Sequence, residues 1–262
     1  MGAAGLRFPR PRRRLDVNDL AGRRALVTGG SRGIGAAIVK RLAADGAEVG
    51  FTYASSRESA DDLRAEVSAQ GGTAVAIRAD SADAQQVTDA VDAAVTAFGG
   101  LDILVNNAGM STSGLAELFP LQDFDRMLAV NVRGVFVAIQ RAIPHLNAGG
   151  RIVIIGSIFA DRVPRPGSAV YAMTKAALAG LTRGLARELG PRGITANVIQ
   201  PGPTATDANP DSGEFADVMR QLTAVGHYGR PEDIASAVAY LVSPEAAFIT
   251  GITWNVDGGF TA

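Results

Sequence analysis

From residue 24 onward, short apolar runs alternate with longer stretches in which apolar residues recur every three or four positions. "RALVTGG" (24–30) is an apolar run broken by glycine and reads as a buried strand, and "GAAIVKRLAADG" (35–46) as a helix that stops at Gly46. "AEVGFTY" (47–53) is a second strand, and Arg57 to Gln70 a second helix closed by Gly71 and Gly72. "TAVAIRAD" (73–80) precedes a helix over 83–97, and "LDILVNNAG" (101–109) a longer helical region over 121–147. "GRIVIIGS" (150–157), a helix around Tyr171, "GITANVIQPG" (193–202), a helix from Pro231 to Val242 and "GITWNVDGG" (251–259) complete the series. Pro231 suits the first turn of its helix, where no hydrogen bond is lost.

Apolar, β-branched strands separated by helices imply β-α-β units, and hence parallel strands covered on both faces. The expected fold is therefore α/β: a doubly wound, mostly parallel sheet of seven strands with helices on both faces. No linker or composition break follows residue 21, so 21–262 reads as one domain. The segment before it, "MGAAGLRFPRPRRRLDVNDL", carries five arginines and no apolar core. It reads as a flexible Arg-rich extension (1–20), not a secretory signal.

Composition narrows the chemistry. The formal net charge is −1, which suggests neither a nucleic-acid nor a membrane partner. No run approaches the roughly 18 apolar residues of a membrane span. With no Cys and two His, thiol nucleophiles and thiolate or His-rich metal sites drop out, and no metal is expected. The simplest reading is a metal-independent cytoplasmic protein.

The first strand runs into "TGGSRGIG" (28–35) and straight on into a helix. Gly29, Gly33 and Gly35 let a backbone turn tightly and approach a pyrophosphate at the helix N-terminus, with Ser31, Arg32 and Ile34 beside them. The same letters fit G-x-S-x-G, the nucleophile elbow of α/β-hydrolases. That elbow follows several strands, whereas fewer than thirty residues precede this one, so a dinucleotide site is the better reading. In NAD sites a carboxylate at the end of the second strand bonds the ribose 2′-hydroxyl. Here that place reads Tyr53, Ala54, Ser55, Ser56, Arg57, without an acid. Hydroxyls and the guanidinium of Arg32 or Arg57 suit a 2′-phosphate instead, so NADP(H) is the expected cofactor.

Six motifs in order, "TGGSRGIG", "NNAG" (106–109), "NV" with Asn131, "IGS" with Ser157, "YAMTK" with Tyr171 and Lys175, and "PGPT" (201–204), resemble the short-chain dehydrogenase/reductase family. The likeness covers residues 20–262, points to the 3-oxoacyl-carrier-protein reductase branch, and implies a Rossmann-type sheet and NADP(H)-dependent ketone reduction or alcohol oxidation. It implies that Tyr171 is the general acid and base, that Lys175 lowers the Tyr171 pKa and bonds the nicotinamide ribose, that Ser157 holds the substrate oxygen, and that Asn131 holds a water of the proton relay. It further implies Asp80 and Ser81 near the adenine, and Asn107, Ala108 and Gly109 against the adenosine ribose. Pro201, Gly202 and Thr204 would lie near the nicotinamide amide, and Thr206 near the pyrophosphate. Relatives are commonly homotetramers, and the small residues of "AALAGLTRGLA" (176–186) permit close helix contact.

Ser157 and Tyr171 stand fourteen positions apart, one more than is commonest in the family. The insert carries Arg162 and Arg165, which either line the entrance or face water. Residues 207–227 occupy the variable substrate lid and name no substrate, leaving small ketones, keto sugars and carrier-bound thioesters open. Asp102 reads as structural, and His145 and His227 as surface or packing residues. "PGPTATDANP" is similar to a bacterial subgroup for which cyclic-dinucleotide binding has been proposed. A nucleotide-binding regulator with little turnover is therefore the alternative function.

Overall fold

The computed structural model describes residues 20–262; the flexible extension expected over 1–20 lies, but for Leu20, outside the described residues. Seven strands form one parallel sheet in the order β3-β2-β1-β4-β5-β6-β7. In chain order they are β1 (Arg24–Val27), β2 (Glu48–Tyr53), β3 (Thr73–Arg78), β4 (Leu101–Asn106), β5 (Leu146–Ile155), β6 (Thr195–Pro201) and β7 (Thr253–Val256). The helices are α1 (Gly33–Ala44), α2 (Arg57–Ala69), α3 (Ala84–Phe98), α4 (Leu121–Leu128), α5 (Val135–Ala142), α6 (Ala169–Leu189), α7 (Glu214–Leu222) and α8 (Pro231–Val242). All residues of β4 and β6 are buried, as central strands covered on both faces must be.

Two apolar cores flank the sheet. One joins α1, α2 and α8 through residues such as Ile38, Leu42, Leu63 and Val238, and the other joins α3, α5 and α6 through Val91, Ile139 and Leu178. Local signals set several boundaries. Asp83 caps α3 by accepting from the amides of Gln85 and Gln86 at 2.9 and 3.2 Å, and Gly99 ends it at φ +74°.

The helical region expected over 121–147 needs correction. It is α4 and α5 joined by a π-helical segment, Ala129–Gly134, and it ends at Ala142. β5 then begins at Leu146, four residues before the expected start, because Leu146 pairs with Leu101 across the sheet. β1 stops at Val27, since Thr28 to Gly30 leave the sheet to form the turn before α1. The lid region contains a helix, α7, that the sequence reading left unassigned.

Asp102 is structural, as expected. It is 4 % exposed at the start of β4. It accepts the Arg24 backbone amide at 3.0 Å, Arg24 Nε at 2.8 Å and Asn147 Nδ2 at 2.7 Å, with Arg23 at 3.5 Å. Burial pushes its pKa up, but these donors outweigh burial and hold it below the ordinary value. Asp102→Ala leaves Arg24 and Asn147 without their acceptor and should cost about 2–4 kcal/mol. A denaturant midpoint within error of the parent would refute this.

Candidate active site

Strand order reverses between β1 and β4, and a crevice opens there beyond the carboxyl ends of the strands. It is a cleft of ≈ 1060 Å³. Every residue predicted to touch cofactor or substrate lines it, except Asn131 and the alternative guanidinium Arg57.

The glycine loop forms its floor. Gly29 N donates to Thr52 Oγ1 at 2.9 Å and Gly30 N to Thr52 O at 2.8 Å, tying the turn to β2. Asn107 Nδ2 donates to Thr28 O at 3.0 Å and Gly29 O at 2.8 Å. The amides of Asn107 and Ala108 both reach Thr28 Oγ1 at 3.1 Å. A Cβ on Gly35 would lie 2.2 Å from Gly29 O, and one on Gly29 would lie 2.9 Å from Ala108 Cα. Gly29 and Gly33 also need φ values of +63° and +54°. Arg32 precedes α1 without a side-chain cap, and the first turn of α1 holds no acid. The positive end of α1 is thus open to an anion.

At the adenosine end, Tyr53, Ser55 and Ser56 line the cleft at the end of β2. Arg32 is exposed and makes no ion pair among the described residues. Arg57, the other guanidinium considered, lies 3.6 Å from Asp61 on α2 and does not line the cleft. Asp80 and Ser81 do. The Asp80 carboxylate accepts from Ala82 N and from Arg126 Nη2, each at 2.9 Å. The Ala82 amide is the largest influence and lowers its pKa, burial opposes, and Arg126 adds to the lowering.

At the other end α6 brings Tyr171 and Lys175 to one face, beside Ser157 at the end of β5. Lys175 is 4 % exposed, lies 5.8 Å from the Tyr171 ring centroid, and donates to Ile155 O at 3.0 Å. Burial holds its pKa down at about 8. The Tyr171 ring meets Phe159 edge-on at 5.7 Å and keeps partial exposure. Its hydroxyl nevertheless sits in dense surroundings, and desolvation pushes the phenol above its ordinary value while Ser157 pulls it back. The expected lowering by Lys175 is therefore not met in the chain alone. Burial acts against charge on both partners.

Asn131 is 1 % exposed and stands behind the cleft wall in the π-helical segment. Its Oδ1 accepts from Met110 N at 2.9 Å, and its Nδ2 donates to Met110 O at 2.9 Å and Thr174 Oγ1 at 3.0 Å. The amide is fully engaged in holding the 107–110 turn against α6. Beyond β6, Pro201, Gly202, Thr204 and Thr206 line the cleft, and Thr206 approaches Gly33 closely enough that a Cβ there would lie 3.3 Å from Thr206 Cγ2. The sequence reading missed Arg126 and Ser168, both of which line the cleft, while Met219 of the expected lid lines it too. Arg126 has a signal in hindsight, the helical spacing that turns α4 toward Asp80. His227 is exposed and His145 half-buried, both away from the cleft. Among the described residues no helix is long and apolar enough to cross a membrane.

Sheet and cleft together define a dinucleotide-binding α/β protein with a tyrosine–lysine pair at its reacting end. The family described as enoyl-(acyl carrier protein) reductase matches residues 29–261. A short-chain dehydrogenase/reductase from Serratia marcescens is 59 % identical, with a TM-score of 0.93, covering 94 % of this chain and 100 % of that one. A short-chain dehydrogenase from Burkholderia cenocepacia, solved in complex with NADP, is 55 % identical with a TM-score of 0.92 and the same coverage. The cyclic-di-GMP-binding biofilm dispersal mediator protein of Escherichia coli is 47 % identical over 246 residues, 94 % of this chain and 100 % of that protein. The chain belongs to the short-chain dehydrogenase/reductase family, among relatives that include 3-oxoacyl-acyl-carrier-protein reductases.

The buried ammonium gives a stability prediction. Lys175 titrates at about 8 in the folded chain and at 10.5 when free. Between those values the unfolded chain binds more protons, so stability rises with pH through that window, and below about pH 8 the full cost of burial is present. Lys175→Met should therefore stabilise the cofactor-free protein at pH 7 by about 1–3 kcal/mol, and the gain should fade toward pH 10.5. Chemical denaturation at pH 7 and pH 10 checks it; a Met variant less stable than the parent at pH 7 contradicts it.

Proposed function

We propose that this chain is an NADP(H)-dependent oxidoreductase that interconverts a ketone and a secondary alcohol. The observation that carries the reading is a single cleft with a Cβ-free phosphate cradle at one end and Ser157, Tyr171 and Lys175 at the other. The cradle, the uncapped start of α1 and the acid-free end of β2 beside Arg32 fit a dinucleotide bearing a 2′-phosphate. The relative from Burkholderia cenocepacia, bound to NADP, supports the same choice.

When bound, NADPH supplies the hydride for the carbonyl carbon. Ser157 orients the substrate oxygen, and Tyr171 gives that oxygen its hydroxyl proton. The raised phenol pKa keeps the acid form loaded at neutral pH, which suits reduction. Lys175 sits one helical turn away, and its ammonium balances the phenolate left behind. Asn131 serves by holding the 107–110 turn, since its side-chain amide is engaged with Met110 and Thr174. In the oxidation direction Tyr171 must first lose its proton, so that rate climbs toward alkaline pH.

The name of the Escherichia coli relative supports a second reading, a regulator that binds a cyclic dinucleotide with little turnover. The complete Ser157–Tyr171–Lys175 set favours turnover. A screen for NADPH consumption over a panel of ketones separates the two; a protein that consumes none while binding the cyclic dinucleotide supports the second.

The reading has the protein acting in the cytoplasm as a homotetramer. Leu118 and Leu121 are each 76 % exposed, and α6 shows Ala176, Ala177, Gly180 and Gly184 to solvent, a surface on which another helix packs closely. β7 is an edge strand among the described residues, and Phe248 is fully exposed. Sedimentation of the full chain at micromolar concentration should give four copies, and a monomer there rejects the assembly.

Two substitutions test the chemistry. Arg32→Ala should lower the preference for NADPH over NADH by about ten- to a hundredfold, the worth of a charged hydrogen bond. Equal kcat/KM for the two cofactors in the parent would sink the cofactor assignment. Tyr171→Phe should cut kcat by about 10²–10⁴-fold while NADPH still binds, read by fluorescence titration. A variant that keeps a tenth of parental kcat removes the phenol from the mechanism.

A further inference from the structure

The loop between β5 and α6 carries two arginines with different fates. Arg162 is spent on the C-terminal segment: it donates to Phe260 O and lies 5.2 Å over the Phe260 ring. Arg165 lines the cleft instead and stacks 4.7 Å over the ring of Phe215 on α7. No carboxylate lies within ion-pair reach of it among the described residues, and its N–H groups make no hydrogen bond there. With no acceptor taken among the described residues, its N–H groups remain available, and they form a planar fork matched to a carboxylate.

The charges around it sharpen the point. The acids that line the cleft are Asp80 and Asp207. Asp80 is engaged by Ala82 and Arg126 at the adenosine end. Asp207 follows Thr206, which packs toward the glycine loop. Of the basic residues that line the cleft, Arg32 stands at the glycine loop and Arg126 is paired with Asp80, which leaves Arg165 and Lys175. Lys175 is buried and turned to Ile155 O. A neutral apolar substrate gives Arg165 nothing to pair with; a carboxylate does.

Resting on the reductase reading above, we infer that the substrate is a ketone that carries a carboxylate, and that Arg165, steadied by Phe215, is the residue that selects it. Arg165 binds the acid group while Tyr171 faces the carbonyl oxygen, which sets orientation as well as affinity.

The test compares 4-oxopentanoate with its methyl ester, a pair that differs only in charge and a methyl group. The parent should favour the acid in kcat/KM. Arg165→Ala should lower the acid-over-ester ratio by about ten- to a hundredfold, through KM more than kcat. Arg165→Lys, which keeps the charge and loses the fork, should recover part of the ratio, and Phe215→Leu should lower it by less than Arg165→Ala. Calorimetric titration of 4-oxopentanoate into the NADP⁺-saturated protein should show the same loss of affinity without turnover. A parent that prefers the ester, or an Arg165→Ala ratio within twofold of parental, overturns the inference. Turnover of neutral ketones with neither keto acid use nor keto acid binding overturns it and leaves the reductase reading standing. Failure of every ketone tested to drive NADPH consumption overturns both.

Discussion

No side chain fits between the turn after β1 and the first residues of α1. Gly35 presses its α-carbon toward Gly29 O, and Gly29 lies against Ala108. Thr28 and Asn107 hold this contact across the point where the strand order reverses. The cleft depends on it. Because the two strand ends are clamped at backbone distance, the amide end of α1 opens into the crevice, and the turn at 107–110 runs along its wall. Asn131 then locks the far side of that turn to α6 through Met110 and Thr174. A chain of close contacts and side-chain hydrogen bonds thus runs from the glycine turn to the helix that carries Tyr171 and Lys175.

Along that chain the environment changes from open to dry, and the chemistry changes with it. Arg32 and the hydroxyls after β2 meet solvent, where a guanidinium keeps its charge at little cost. At the other end Lys175 is buried and titrates near 8, and the Tyr171 phenol is pushed up. Withdrawing an ammonium from water is a standing cost to the fold, and under the proposed mechanism it falls where the reaction would place a negative charge on Tyr171.

The lid side follows a different rule. α7 is amphipathic and packs through Ala216 and Met219 against Ile158, Tyr228 and Phe260. It meets the β5–α6 loop through the stacking of Phe215 on Arg165, a contact between a ring and a cation at the edge of solvent. Such a contact orders both segments without a buried ion pair. It also leaves the Arg165 N–H groups without a hydrogen-bond partner among the described residues.

Much of this was legible in the residues themselves. Strand and helix periods gave the seven-stranded order of elements, because burial on one or both faces is written in a repeat of two or 3.6 residues. The cleft residues named from motifs came together because they lie at or just beyond the carboxyl ends of parallel strands, or on the helices that follow, and those ends share one side of the sheet. What the chain could not announce locally was everything decided by neighbours far along it. The π-helical turn at 129–134 and the early start of β5 came from pairings with Met110, Thr174 and Leu101. The direction of the Tyr171 shift came from desolvation, a property of all the atoms around a group, while the i, i+4 spacing shows only that Lys175 is near. The two arginines of one loop were indistinguishable as letters. Tertiary structure separated them by placing Phe260 under Arg162 and the open cleft beside Arg165.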